Sequence, residues 1–489
     1  MSRKTALACL LALSALYCFA ELVPGRFAVT DEVYFKAAGR NWAATGRFAA
    51  PELKGFGNSF VPPVSELFCS YPPLYPFLYG VYTKVVGFGP RSCILYDLAI
   101  HLLLIWSGAM VARLVHGVPR SASVLCAALL LPLGTVGRPD ELGIVFALGA
   151  ALALRREVPL KFGFPVGGAL LGFCCSTSLG ACLFLGSLVG WEVTLRERSH
   201  FRKLRNLVIT ALIALVVVAV CVAPILVTHP LAYRQLVVIG ASQTALGNAG
   251  SSPRTVLQMW VEALWYGYDK GLLIAGCLIF CLLCWGFDKN PETSAYSRFL
   301  LVAFSLLMLL VSMPGKYGYL WFSGSWLLIA CVALGWRISG SLPPSRWRPL
   351  LAFGVLLWLM ASMPYFRWKA ILWTLPTDQS LTFNMKRVRD EVPVGARVLT
   401  TDYWWALADR NRVYDTLFSN PGLDAFDYVV LTGNGSGRTG RPLPPNVPLG
   451  ESQWQNTEDH LRLKPPSVFG FRISRSAYGF GPYILRKNK

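Results

Sequence analysis

The sequence predicts a polytopic α-helical membrane protein with about eleven transmembrane helices and a small C-terminal α/β domain. Three observations predict it. Of 489 residues, 54% are hydrophobic and only 15% charged, with a mean hydropathy of +0.47, which leaves too little polar surface for a soluble chain of this length. Apolar stretches long enough to cross about 30 Å of hydrocarbon recur from Thr5 to Tyr365, with short, often arginine-bearing breaks. After Arg367, charges, Pro and Gly alternate with short apolar runs, the pattern of a water-exposed domain.

The expected spans lie near 5–23, 92–113, 120–136, 140–154, 163–178, 180–195, 206–228, 271–286, 299–313, 318–336 and 349–365. The first follows Arg3 and Lys4 and reads as a retained span rather than a cleaved signal peptide, since every later span needs the same start. Two domains follow: residues 1–366, a membrane domain that includes a first outer loop at 24–91, and residues 367–489, an extracytoplasmic α/β domain.

The net charge of +20 belongs to topology, not to nucleic-acid binding. With the N-terminus in the cytoplasm, the cytoplasmic connections carry Arg113 and Arg120, then Arg155, Arg156 and Lys161, then Arg196, Arg198, Arg202, Lys203 and Arg205. The short turns on the opposite side hold little beyond Arg138 and Lys316. That asymmetry satisfies the positive-inside rule. It puts the first loop, the turn Gly137–Glu141, the loop from Thr228 to Lys270 and the terminal domain together on the outer face, the periplasm if the membrane is a bacterial inner or plasma membrane. Nearly all thirteen cysteines lie in apolar spans and none in the terminal domain, so no disulfide framework is implied. Cys277, Cys281 and Cys284 have cluster-like spacing but sit in an apolar helix, where core packing explains them.

Within the first loop, Thr30 can cap a helix running to about Thr45. Tyr34, Phe35, Ala38 and Trp42 share one face of it and Lys36 and Arg40 another, as in a helix lying along the membrane interface. Tyr71-Pro72-Pro73-Leu74-Tyr75-Pro76 then breaks the chain before an aromatic piece ending near Gly87. A full span there would invert every later loop, so a re-entrant or interfacial piece is expected. In the terminal domain, Arg397–Thr401, Asp427–Leu431, Phe471–Arg475 and Tyr483–Arg486 read as strands and Tyr403–Asp409 as a short helix. Asn434-Gly435-Ser436 fits a glycosylation acceptor, a triplet common by chance.

Asp31 and Glu32 open the first-loop helix just beyond the first span, where a lipid-linked substrate would present its head group and a carboxylate can act as a base. Acids in a first helical turn also stabilise the helix through its dipole, by about 0.3–1 kcal/mol, and both readings stay open. Asp140 and Glu141, behind Arg138 and Pro139, repeat the pattern at the start of another outer helix. Two acidic pairs on one side of the membrane suggest a shared site, with Asp140 and Glu141 in support. Lys316 and Arg138 are candidates for a phosphate; for Lys316, snorkelling beside an aromatic belt is the competing reading. His229 can donate a hydrogen bond to a phosphate or bind a metal, although a lone His is more often neither. No Gly-rich phosphate loop or nucleophile elbow is present, so any energy source comes with the substrate.

The order of these segments resembles the GT-C superfamily of polyprenyl-phosphate-sugar-dependent glycosyltransferases, which includes protein O-mannosyltransferases and the lipid A aminoarabinose transferase. The resemblance runs from the first span through Asp31-Glu32, Tyr71-Pro72-Pro73-Leu74-Tyr75-Pro76 and Arg138-Pro139-Asp140-Glu141 to Val394–Asp402 and Asp427–Leu431. It implies an inverting transfer of a hexosyl or pentosyl unit to an extracytoplasmic lipid, glycan or protein acceptor. In that chemistry a first-loop acid, Asp31 by position with Glu32 beside it, acts as base while cations hold the departing phosphate. Some members use a divalent metal and others do not, so a metal cofactor stays open. The alternatives are a lipid-linked sugar transporter or flippase, and an oligosaccharide polymerase or ligase.

Overall fold

A computed structural model describes residues 1–23, 30–54, 63–68, 71–133, 137–155, 158–178, 199–230, 328–336, 381–400, 402–414, 426–432, 454–456, 467–468, 471–472 and 482–487, with scattered single positions and pairs between 181 and 373. The chain divides into two compact units. One contains Met1–Tyr17, Ala99–Thr135 and Pro139–Phe366; the other contains Cys18–Leu98, Val136–Arg138 and Arg367–Lys489. Residues 24–91 therefore share their unit with the terminal residues.

The described residues of the first unit are mostly helical. It holds most of α1 (Arg3–Leu22), the greater part of α4 (Pro90–Leu114), α5 (Arg120–Leu130), α6 (Pro139–Ala153), α7 (Leu160–Thr177) and α8 (His200–Thr228). Among the described residues, α1, α4 and α8 are long and apolar enough to cross a membrane. Leu104, Ala112, Leu130, Leu148 and Ile329 are all buried in one core, and Trp106 and Trp358 pack against it. Polar atoms fasten this core across long sequence separations: Trp106 Nε1 donates to Ser14 Oγ at 3.0 Å and Trp358 Nε1 to the Leu129 carbonyl at 2.8 Å. α7 packs between α6 and α8. Its Gly168 and Gly172, four residues apart, let the α8 backbone approach: a Cβ there would stand 3.0 Å from the Thr210 carbonyl oxygen and 2.7 Å from that of Ala214. Nearly all of the expected spans at 180–195 and 271–286, all of that at 299–313, and about half of those at 318–336 and 349–365 lie outside the described residues.

The second unit begins with α2 (Thr30–Thr45), a 3₁₀ turn at Pro51–Leu53, and α3 (Leu74–Val86). At thirteen residues α3 is roughly 20 Å long, short of a bilayer crossing. α2 and α3 cross at glycines: a Cβ on Gly80 would stand 2.6 Å from the Gly39 carbonyl oxygen, and one on Gly39 would be 2.8 Å from the Pro76 carbonyl carbon. The exposed polar face expected of α2 is absent. Val33, Phe35, Lys36, Ala37 and Ala38 are all buried, so both faces are covered from 32 to 39.

The described terminal residues of this unit include α9 (Leu381–Glu391), α10 (Trp404–Leu407) and seven strands. These are β1 (Arg397–Leu399), β2 (Arg412–Tyr414), β3 (Tyr428–Thr432), β4 (Trp454–Asn456), β5 (Ser467–Val468), β6 (Phe471–Arg472) and β7 (Pro482–Lys487). Five make a mixed sheet in the order β2-β1-β3-β7-β4, while β5 and β6 pair separately. β1 runs parallel to β2 and β3, with Val398 opposite Val413 and Tyr428. β7 runs antiparallel to β3 and β4, with Val430 opposite Ile484 and Gln455 opposite Arg486. Val398, Val429, Val430 and Ile484 are fully buried, as are Tyr403, Trp404 and Trp405 beside the sheet. Strands β2, β4 and β5 were not expected from the sequence. Asn434 and the Pro-rich stretch after Gly440 lie outside the described residues.

Candidate functional site

Two buried polar clusters hold most of the acids singled out in the sequence, and each lies within one unit. The first is built on α2. Glu32 and Lys36 are four residues apart, one turn of helix, and Lys36 Nζ lies 2.8 Å from Glu32 Oε1. The same ammonium reaches 2.7 Å from both carboxylate oxygens of Asp97, on the first two turns of α4. Glu32 and Lys36 have no exposed surface and Asp97 has 8%. Tyr79 and Tyr96 present their rings to the ammonium, with centroids at 5.3 and 5.8 Å. The three N–H donors of an ammonium thus face three carboxylate oxygens and two aromatic faces.

The turn before α6 closes on this cluster. Gly137 has a φ of +77°, and a Cβ there would fall on Glu32 Cγ, 2.6 Å from its Cδ and 2.7 Å from its Oε1. The next residue, Arg138, sets its guanidinium over the Phe35 ring at 5.4 Å, one turn along α2 from Asp31 and Glu32. The structure therefore brings Glu32 together with Gly137 and Arg138 across a separation of about a hundred residues. Asp31 stands in the first turn of α2, and its side chain lies outside the described residues, as does all of Lys316.

Asp140 and Glu141 have other partners, in the first unit. Asp140 is fully buried, and its Oδ1 accepts from Ser178 Oγ at 2.5 Å. Ser178 ends α7, and its hydroxyl oxygen also accepts from the Ala181 backbone N–H at 3.2 Å. Glu141 Oε1 lies 3.0 Å from Nδ1 of His101, whose Nε2 lies 3.1 Å from the Leu131 carbonyl. With an oxygen at each ring nitrogen, the pair is satisfied either as imidazolium and carboxylate or as a neutral ring and a carboxylic acid. The Tyr17 ring packs on His101 at 5.0 Å. His229 is exposed just beyond α8, and its backbone N–H closes that helix on the Ile225 carbonyl at 2.8 Å.

Among the described residues no group of three or more His, Cys, Asp or Glu side chains could hold a metal ion. The Glu32–Asp97 pair does not suit a divalent ion, because the Lys36 nitrogen stands between the carboxylates where the metal would bind.

Near this cluster the loop carries a further buried acid. Glu52, in the 3₁₀ turn, has 2% exposed surface, and its Oε1 accepts from Arg40 Nη1 at 3.3 Å and from Trp404 Nε1 at 3.4 Å. Burial pushes its carboxyl above the ordinary carboxylate range, with the Arg40 guanidinium opposing. Among the described residues its Oε2 has no hydrogen-bond partner. Arg40 also stacks on Phe88 at 5.2 Å, and Phe88 meets Trp404 edge to face at 5.2 Å.

Sequence reasoning missed the roles of Lys36, Asp97, His101 and Glu52. The signal for two of them was visible, since Asp97 and His101 are ionisable residues inside an otherwise apolar span.

No protein-family model matches the chain, and no curated protein does. Solved structures do. The crystal structure of ArnT from Cupriavidus metallidurans bound to undecaprenyl phosphate matches with a TM-score of 0.54 at 12% identity, covering 99% of this chain and 98% of that one. The chain shares the fold of that structure. Weaker matches are the archaeal oligosaccharyltransferase AglB from Archaeoglobus fulgidus, in complex with an inhibitory peptide and a dolichol-phosphate, and the arabinofuranosyltransferase AftD from Mycobacteria. AglB has a TM-score of 0.43 at 11% identity over 87% of this chain and 69% of its own. AftD has 0.47 at 16% over 99% of this chain and 42% of its own, so this chain spans about two fifths of its length. The Glu32–Lys36–Asp97 cluster ties α2 to the opening turns of α4.

Proposed function

We propose that the chain is a membrane glycosyltransferase that moves a sugar from a polyprenyl-phosphate donor to an extracytoplasmic acceptor with inversion. Residues 1–366 serve as its GT-C membrane domain and residues 367–489 as an outer α/β domain. The observation that carries this reading is the meeting of the first loop with the Gly137–Arg138 turn, which sets a guanidinium over Phe35, one turn from Asp31 and Glu32. The fold shared with an enzyme bound to undecaprenyl phosphate supports it.

In this mechanism Asp31 is the base. Glu32, buried and ion-paired, is its fixed neighbour. The Asp31 carboxylate takes the proton of the acceptor group as that group attacks C1 of the sugar. The bond from C1 to the phosphate oxygen breaks, and the polyprenyl phosphate leaves with the electron pair. Arg138 and Lys316 balance its charge. Because the prenyl chain stays in lipid, the reaction takes place at the outer membrane surface. Asp140 and Glu141, held by Ser178 and His101, support the start of α6.

The test is transfer from a labelled polyprenyl-phosphate sugar in membranes holding wild type, Asp31→Asn or Arg138→Gln. Loss of a general base should slow transfer about 10²- to 10⁴-fold. An Asp31→Asn protein that expresses normally and transfers at the full rate removes Asp31 from the mechanism.

A further inference from the structure

We propose that the Lys36 ammonium is the built-in cation of the first-loop acidic site, standing where a divalent ion would otherwise bridge Glu32 and Asp97. Three observations support this. One nitrogen lies 2.7–2.8 Å from three oxygens of two different carboxylates. Glu32 comes from α2 and Asp97 from α4, 61 residues beyond Lys36, so the cation joins separate elements as a bridging ion does. Two tyrosine rings, at 5.3 and 5.8 Å, line its other sides.

A simple stabilising role accounts poorly for this arrangement. Taking an ammonium and two carboxylates out of water is expensive, and well-packed apolar side chains of similar volume are usually as stable. The charge is itself the useful feature. It fixes Glu32 against Gly137 at the mouth of α2, and it does so with a covalently attached cation that cannot dissociate.

The consequence is a latent cation site. Truncating Lys36 leaves two buried carboxylates around a vacated space, with oxygen ligands of the kind that hard divalent ions and small ammonium ions prefer. Under the proposed function the same cluster positions the residue next to the base. The readouts chosen are cation uptake and melting, which do not depend on sugar transfer, so this inference and that reading fail separately.

The experiment compares full-length wild type, Lys36→Ala and the double variant Lys36→Ala/Asp97→Asn in detergent. Mn²⁺ uptake is followed by electron paramagnetic resonance, and thermal unfolding is measured with and without MnCl₂ or ethylammonium chloride. Lys36→Ala should take up about one more equivalent of Mn²⁺ than wild type. Its melting midpoint, lower than that of wild type, should rise with either cation. The double variant should show neither gain. A Lys36→Ala protein with wild-type Mn²⁺ uptake and a midpoint indifferent to both cations overturns the proposal. If that variant folds only when solubilised with Mn²⁺ or ethylammonium, the proposal stands, and if neither recovers it, the proposal fails.

Discussion

The Glu32 side chain fills the space in front of the Gly137 α-carbon, so the acidic start of α2 and the turn before α6 are fitted to each other without room for a methyl group. Gly137→Ala should therefore lose more than the roughly 1–2 kcal/mol that a positive φ costs an alanine, because Glu32 is pinned to Lys36 and cannot swing aside freely. Gly117 supplies the control. Its φ is +71° and nothing would lie within 4 Å of an added Cβ, so Gly117→Ala carries the backbone strain alone. Melting temperatures of the two variants should differ, with Gly137→Ala the lower, and only Gly137→Ala should slow sugar transfer. Equal melting and equal transfer would show that Glu32 yields easily.

The His101–Glu141 pair predicts a different asymmetry. Glu141→Gln keeps a polar group within reach of His101 Nδ1, whereas Glu141→Leu leaves a buried ring nitrogen unsatisfied at a cost of about 1–3 kcal/mol. Thermal unfolding in detergent should rank wild type above Glu141→Gln and both above Glu141→Leu. A Leu variant as stable as the Gln variant would mean that the contact does not hold in the folded protein.

Packing of α2 on α3 sets backbone against an added Cβ at Gly80. The nearest atom to an added Cβ is the Gly39 carbonyl oxygen at 2.6 Å, with Trp42 Cε3 at 2.8 Å. Gly80→Ala should push the helices apart and cost about 1–3 kcal/mol or more, seen as reduced folded yield and a lower melting point. Gly89→Ala, where nothing would lie within 4 Å, should behave as wild type.

Glu52 makes stability depend on pH. Burial raises its carboxyl, so over part of the pH range the folded protein keeps a proton that the unfolded chain has released. The contribution is most favourable below the ordinary carboxylate range. It falls as pH rises from that range through the raised folded value, and is level beyond. Glu52→Gln retains an oxygen for Arg40 and Trp404 but cannot ionise. The melting temperature of Glu52→Gln minus that of wild type should grow with pH across this window and then plateau. A difference that is flat in pH would remove Glu52 from the linkage.

What the sequence made legible follows the reach of each signal. Hydropathy finds α1, α4 and α8 because a long apolar helix declares itself in consecutive residues. The acidic pairs stood out because each begins a helix in residues next to one another. Lys36 and Arg40 were read as a polar face, correctly by period and wrongly in consequence. Their counter-charges are Asp97, 61 residues beyond Lys36, and Glu52, twelve beyond Arg40, and local periodicity carries no record of such pairs. Nor does local sequence record that Glu32 meets Gly137, or that Asp140 and Glu141 meet Ser178 and His101. Among the terminal residues, β1, β3 and β7 have apolar runs to read, whereas Arg412-Val413-Tyr414 and Trp454-Gln455-Asn456 are too short to show alternation and gain their meaning only from the strands beside them.

The hydrogen bond from Trp404 to Glu52 spans 352 residues of chain. At about 5–20 residues per second, a ribosome needs roughly 20–70 s to travel that distance. Throughout that interval the newly made Glu52 waits without the indole that will cover it. The turn at Pro51–Leu53 is thus among the first pieces to be synthesised and among the last to mature, and a stalled or shortened message would leave its carboxyl uncovered.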